Sequence, residues 1–211
     1  MLDTIAVPFI AHQNLPTDLL TASFWEDKIL IHQLYDPWRQ VHPKKTSFAA
    51  IHDDQAVYFY FEVTVDGYHA QQIADHRQEV AQSDRVELFF KRDDRMQPYY
   101  CLEVDYLGRC FDYRADFHRQ MDYDFHWPKG WNASVRYFPQ RYQVLLKIEK
   151  TLLSQWNLLQ EKKLQVGVFQ ATYFQAPDQN EMHTYWYSWV DPGTPQPDFH
   201  VPSAFGVLQL V

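Results

Sequence analysis

Asp84-Arg-Val-Glu-Leu-Phe-Phe-Lys91, then Arg92-Asp-Asp-Arg-Met-Gln-Pro98, then Tyr99-Tyr-Cys-Leu-Glu-Val-Asp-Tyr106, is the stretch whose reading decides the fold. In the first run Val86, Leu88 and Phe90 fall on one side, and Arg85, Glu87 and Phe89 on the other. That period of two defines a half-buried strand. In the third run Tyr100, Leu102, Val104 and Tyr106 share a side. The short polar reversal between the runs makes an antiparallel hairpin the simplest pairing. Burying the even-numbered set leaves Glu87, Glu103 and Asp105 on the opposite face, so the hairpin presents a carboxylate-bearing surface.

Working outward, residues 46–51 and 56–65 read as a strand pair across the turn 52–55. The second of these is nearly continuously apolar and aromatic, which places it in the middle of a sheet. Residues 67–81 are polar and read as a loop or short helix beside the carboxylate face. Residues 4–10 are β-prone, 17–25 fit one helical turn or a strand approach, and 27–45 read as a long exposed connection. Downstream, 109–113 fit a third meander strand, and 115–130 form a long polar and aromatic excursion of the kind that often carries function. A second hairpin spans 131–138 and 141–148, and 151–156 is the helix candidate, opening on Thr151. Strands follow at 164–174 and 184–190, and a Pro-rich loop closes into a terminal strand. Nine or ten strands with one short helix predict an all-β, two-layer antiparallel β-sandwich, organised as a single domain over residues 1–211.

The 14 Tyr, 15 Phe and 7 Trp are the compositional excess, suited both to pleated sheets and to aromatic-lined binding surfaces. A net charge of −8 argues against nucleic acid as a partner. No apolar run approaches the roughly 18 residues of a membrane span, and residues 1–15 lack the pattern of an export signal. The expectation is a cytoplasmic protein with no membrane partner. With a turn at Leu107-Gly108, Cys110 faces Asp105, four residues along the ladder from Cys101; at about 3.3 Å per residue the thiols are too far apart to bridge.

Three stretches carry a resemblance: Asp84-Arg-Val-Glu-Leu-Phe-Phe, the run Tyr99-Tyr-x-Leu-Glu-Val-x-Tyr-Leu-Gly108, and Ser188-Trp-Val-Asp-Pro followed by Pro197-Asp-Phe-His-Val-Pro-Ser-Ala-Phe-Gly-Val-Leu. Together they resemble the family 9 carbohydrate-binding modules, first known as xylan-binding appendages of glycoside hydrolases, and more closely the stand-alone family 9-like proteins of bacteria. The resemblance covers roughly residues 25–211. It implies a jelly-roll or immunoglobulin-like sandwich related to the DOMON group, and non-catalytic binding of a saccharide of xylan or cellulose type or of a small oligosaccharide. In that family two tryptophans sandwich a chain-end sugar while a Glu, an Arg and amides bind its hydroxyls. The Glu matches Glu87; the tryptophan positions fall on Ala81 and Phe199, the Arg near Glu103 and one amide near Gln196. The family's calcium loop is shortened here to Asp93-Asp94 and flanked by Arg92 and Arg95, whose charges oppose a cation; calcium is the candidate cofactor that the resemblance implies.

Sugar recognition needs a flat aromatic face and paired polar groups for neighbouring hydroxyls. Glu87 and Glu103 supply acceptors, Arg77 or Arg85 donors, and Phe199, His200, Trp186 and Trp127 are the aromatic groups expected at that surface. His200 also reads as a loop anchor, and Trp189 as core. Two alternatives stand beside binding: a catalytic carbohydrate-processing domain using Glu87 and Glu103 as a carboxylate pair, and an interaction module that has lost its sugar site.

Overall fold

The structure is a computed structural model in which residues 3–38, 45–72, 76–175 and 182–211 are described. Its strands are β1 (Thr4–Val7), β2 (Ile29–Ile31), β3 (Thr46–His52), β4 (Ala56–Thr64), β5 (Arg85–Lys91), β6 (Tyr99–Asp105), β7 (Cys110–Asp116), β8 (Gln120–Asp122), β9 (Trp131–Phe138), β10 (Arg141–Glu149), β11 (Leu159–Gln160), β12 (Lys163–Gln175), β13 (Met182–Ser188) and β14 (Gly206–Leu210). Among the described residues one sheet runs β1-β14-β12-β5-β6-β7-β8, with β11 and β13 also pairing β12; the other runs β2-β3-β4-β10-β9. β1 lies parallel to β14, and the other strand pairs are antiparallel.

The alternation read from the central hairpin sets the core. Val86, Leu88 and Phe90 of β5 and Tyr100, Leu102 and Val104 of β6 face Phe59, Phe61 and Val63 of β4 and Val144, Leu146 and Ile148 of β10 between the sheets. β4 is apolar on both faces because both are covered. Its outer Tyr58 and Tyr60 pack under Leu20 and Trp25 of the N-terminal segment. The outer face of the β5–β6 sheet is covered as well: Phe89, Tyr99, Cys101 and Phe169 pack against Phe199, Ala204 and Phe205. Every residue of β5 and β6 is therefore buried.

Among the described residues three short α-helices appear where one was expected: α1 (Ala22–Trp25), α2 (His76–Ala81) and α3 (Lys150–Gln155). α3 starts one residue before Thr151, and Glu149 takes its N-cap position without a side-chain capping bond. The connection 27–45 is less exposed than expected, since it contains β2 and the buried Leu34, while its residues 39–44 lie outside the described ones. The cysteine register is corrected by one residue. Cys110 pairs with Val104 and Cys101 with Tyr113, which puts the thiols three ladder positions apart and on opposite faces of the sheet. Asp105 causes the shift: its carboxylate accepts from the N–H groups of Leu107 and Arg109, so the chain turns before Tyr106 can pair, and Gly108 supplies the left-handed residue at φ 82°. Both cysteines are free thiols.

The β3–β4 turn is held by Asp53. Its Oδ1 accepts from the N–H groups of Gln55 (2.8 Å) and Ala56 (2.7 Å), and its Oδ2 from Tyr58 (2.9 Å) and His12 (2.9 Å). Burial pushes the Asp53 carboxyl up, but these donors outweigh it and hold it at about 2. A depressed folded-state value stabilises the protein above the unfolded carboxylate range and loses that contribution as pH falls through about 2. Asp53→Asn is expected to cost roughly 2 kcal/mol at pH 7. Urea unfolding should show the deficit shrinking toward pH 2; a deficit independent of pH contradicts the assignment.

Candidate functional site

The odd-numbered side chains of β5 and β6 meet on the covered outer face. Arg85 and Glu87 stand two residues apart on β5, and Glu87 is the ladder partner of Glu103. All three are nearly inaccessible, at 4%, 2% and 4% of their surface. The Arg85 guanidinium organises the group: Nε donates to Glu103 Oε2 at 2.7 Å, and Nη1 donates to the carbonyl of Ala81 at 2.8 Å. Glu103 is fully engaged, since Tyr113 donates its hydroxyl to Oε1 at 3.0 Å. Glu87 is held differently. Arg85 Nη2 lies 2.8 Å from Glu87 Oε1 but out of line for a hydrogen bond, so Oε1 is buried without a hydrogen-bond donor among the described residues. A buried acceptor in that state is costly unless something donates to it.

A small cavity of about 70 Å³ adjoins this group, lined by Arg85, Glu87, Glu103, Arg119, Trp186, Pro197, Phe199 and His200. Its aromatic wall is built in layers. Phe199 stacks on Phe169 at 4.0 Å between centroids and 8° between planes, and meets Trp186 edge-on at 5.5 Å. Phe169 can lie in that plane because Gly167 precedes it on the same face; a Cβ there would stand 2.4 Å from two Phe169 ring carbons. Trp186 covers the Arg85 guanidinium at 5.3 Å, a cation–π contact in a dry setting. The loop is pinned at Asp198, which accepts from His118 Nε2 (2.7 Å) and the His200 N–H (2.9 Å) and lies 3.4 Å from Arg119 Nε.

Of the expected site residues, Glu87, Glu103, Arg85, Phe199, His200 and Trp186 come together. His200 combines both readings made of it, lining the cavity while its Nδ1 bonds the Tyr99 hydroxyl at 2.7 Å. Burial lowers its basicity to about 3, with Arg119 adding to the effect, so the ring is neutral at physiological pH. Trp127 belongs elsewhere: it is buried in the inter-sheet core against Phe90, Tyr100 and Trp156. Its backbone N–H is tied to the Asp112 carboxylate at 2.6 Å, which turns the ring inward. Gln196 is exposed beside the loop and does not line the cavity. The Arg77 side chain lies outside the described residues. Trp189 is core, as expected, at 4% exposure. Ala81 contributes its carbonyl rather than a ring, accepting from Arg85 and from Tyr173 (2.6 Å). Arg119 and Pro197 were missed, because neither lies in a periodic element. In the shortened acidic loop, Asp93 is paired with Arg95 at 2.8 Å and Asp94 with Lys91 at 2.5 Å.

Burial raises the Glu87 carboxyl well above the usual carboxylate range; Glu103 reinforces the rise and Arg85 opposes it. A raised folded-state value gives stability that is present below the unfolded carboxylate range and is lost as pH rises toward the folded value. The free-energy difference between Glu87→Gln and wild type should therefore shift in favour of the variant as pH is raised from about 5 to 9. Paired urea titrations across that range check this, and a constant difference contradicts it.

Fold and site together define a two-sheet β-sandwich with a loop-covered polar cavity on the outer face of one sheet. The chain belongs to the family described as "Carbohydrate family 9 binding domain-like", whose profile matches residues 22–211. Solved structures with the same fold include a Bacteroides uniformis protein proposed to bind carbohydrate, at 14% identity and TM-score 0.70, with all of both chains covered. They also include a family 9 carbohydrate-binding module from Caldicellulosiruptor kristjanssonii. Its complex with glucose matches at 14% identity and TM-score 0.64, covering 99% of this chain and 96% of that one. The complex with cellotriose matches at 14% identity and TM-score 0.62, covering 99% and 93%. No curated protein matches the sequence.

Proposed function

We propose that the protein is a non-catalytic saccharide-binding module and that its ligand enters the cavity between Glu87 and Trp186. The observation that carries this reading is Glu87: a buried carboxyl beside Arg85, with one oxygen that receives no hydrogen bond among the described residues. A sugar hydroxyl is the donor that fits such an acceptor, and the Trp186 ring offers a surface for C–H groups. Glu103 and Arg85, whose groups are already engaged, position Glu87. A cavity of about 70 Å³ is well below the roughly 300 Å³ of pockets that enclose whole small ligands. The reading is therefore of a chain end presenting one edge, with displacement of the 197–200 loop when a full ring enters. Family membership and the saccharide complexes of the structural relatives support it.

Glycoside hydrolysis would need two carboxylates flanking the scissile bond. Glu87 and Glu103 instead share one wall and one guanidinium, which favours binding over catalysis. Calorimetric titration with glucose and cellotriose tests the proposal. Saturable binding, weakened about three- to tenfold in Glu87→Gln, is the expected result, since one net hydrogen bond contributes about 0.5–1.5 kcal/mol. Absence of binding to either sugar would leave the interaction-module alternative in its place.

A further inference from the structure

The other sheet carries a second polar cavity, of about 380 Å³, on its own outer face. Tyr60 and Glu62 of β4 point into it, away from the inter-sheet core. Across the ladder Glu62 is flanked by Ser47 on β3 and Gln143 on β10. Gln143 is 1% exposed, donates Nε2 to Glu62 Oε2 at 3.0 Å, and has no hydrogen-bond partner for its Oε1 among the described residues. The Tyr60 hydroxyl donates to the same Glu62 oxygen at 3.4 Å, and its ring is fixed by a parallel stack with Trp25 at 4.7 Å and 5°. Glu62 is thus held through one oxygen by the buried Gln143 and the stacked Tyr60, with Nε of the half-exposed Arg141 3.9 Å from the same oxygen. Such preorganisation is expected of a binding acceptor and is superfluous for a solvated surface carboxylate. Burial and Glu62 both raise the Tyr60 phenol, which keeps it a hydroxyl.

We infer that this cavity is a second binding site, separate from the Glu87 cavity, for a neutral polyhydroxylated chain such as an oligosaccharide. Its lining is of mixed charge: Glu26 and Glu62 with Lys45 and Arg141, together with His32, Ser47, Tyr60 and Thr64. An anion would meet two carboxylates and a cation two bases, whereas a row of hydroxyls, each both donor and acceptor, matches a lining that offers both donors and acceptors. Glu62, Thr64 and Arg141 also line an adjoining open groove of about 420 Å³, floored by Phe138, Pro139 and Gln140. There the Arg141 guanidinium lies over the Phe138 ring at 4.7 Å. The two spaces share residues and run on from one another, which suits more than one sugar unit. No residue is common to this site and the Glu87 cavity, so neither depends on the other.

Amide and indole chemical-shift mapping of the full chain with cellotriose tests the inference. Saturable shifts at residues 60–64 and 141–143 and at the Trp25 indole are expected, weakened about tenfold in Glu62→Gln and in Arg141→Ala, with retained spectral dispersion and unchanged shifts around Glu87. Shifts confined to the Glu87 side, or none anywhere, would overturn it. So would wild-type affinity in both variants, or a response to glucuronate but not to cellotriose. Shifts confined to the Glu62 side would uphold this site and remove the Glu87 proposal instead.

Discussion

Arg85→Met is expected to lower stability by about 3–5 kcal/mol at pH 8. Wild-type Arg85 is 4% exposed and lies between two carboxylates that are equally buried. Removing the guanidinium leaves both without their counter-charge and also leaves the Ala81 carbonyl with Tyr173 as its remaining donor. Breaking a buried ion pair from one side is costly because the remaining charge stays desolvated. Without Arg85 nothing opposes the upward push of burial and of Glu103 on the Glu87 carboxyl, so stability is retained below the unfolded carboxylate range and lost as pH increases. Urea unfolding should show a deficit that grows between pH 5 and 8. A deficit under about 1 kcal/mol throughout would mean that the triad is solvated and the site description wrong.

Phe199→Ala should cost about 3–5 kcal/mol, within the range of buried aromatic truncations. The ring is 4% exposed and touches Phe169, Trp186 and Trp38. Its removal also joins the 70 Å³ cavity to the space the ring vacates. Saccharide binding should then respond in the opposite direction from stability, because the lid no longer has to be displaced. Calorimetry on the variant at a temperature where it remains folded checks this. Weaker binding together with lower stability would make Phe199 a direct sugar contact instead of a lid.

Period-two alternation made the placement of Glu87 and Glu103 on one face legible from the chain alone, and their ladder pairing follows from the length of the reversal. The cover of that face by the Phe199–His200 loop was expected from the family resemblance and not from periodicity. The cover comes from residues 197–205, more than 90 positions further on, in a segment with no periodicity. The same limit explains Arg119, whose side chain reaches the cavity from a turn at φ 59°, and Trp127, whose inward direction is set by the Asp112 carboxylate rather than by strand alternation. The Glu62 cavity was hidden for a different reason. β4 reads as continuously apolar because each face is covered by a different part of the chain, so Tyr60 and Glu62 look like interruptions rather than a site. The one-residue shift at Cys110 came from a side chain, Asp105, competing with the ladder for backbone donors.

A crystal structure of the protein with cellotriose tests the central proposal most directly. The account predicts a terminal sugar hydroxyl at hydrogen-bond distance, about 2.5–3.0 Å, from Glu87, with a ring face against Trp186 and residues 197–200 displaced outward. Sugar bound only at other positions, with the Glu87 cavity closed and unchanged, would contradict it.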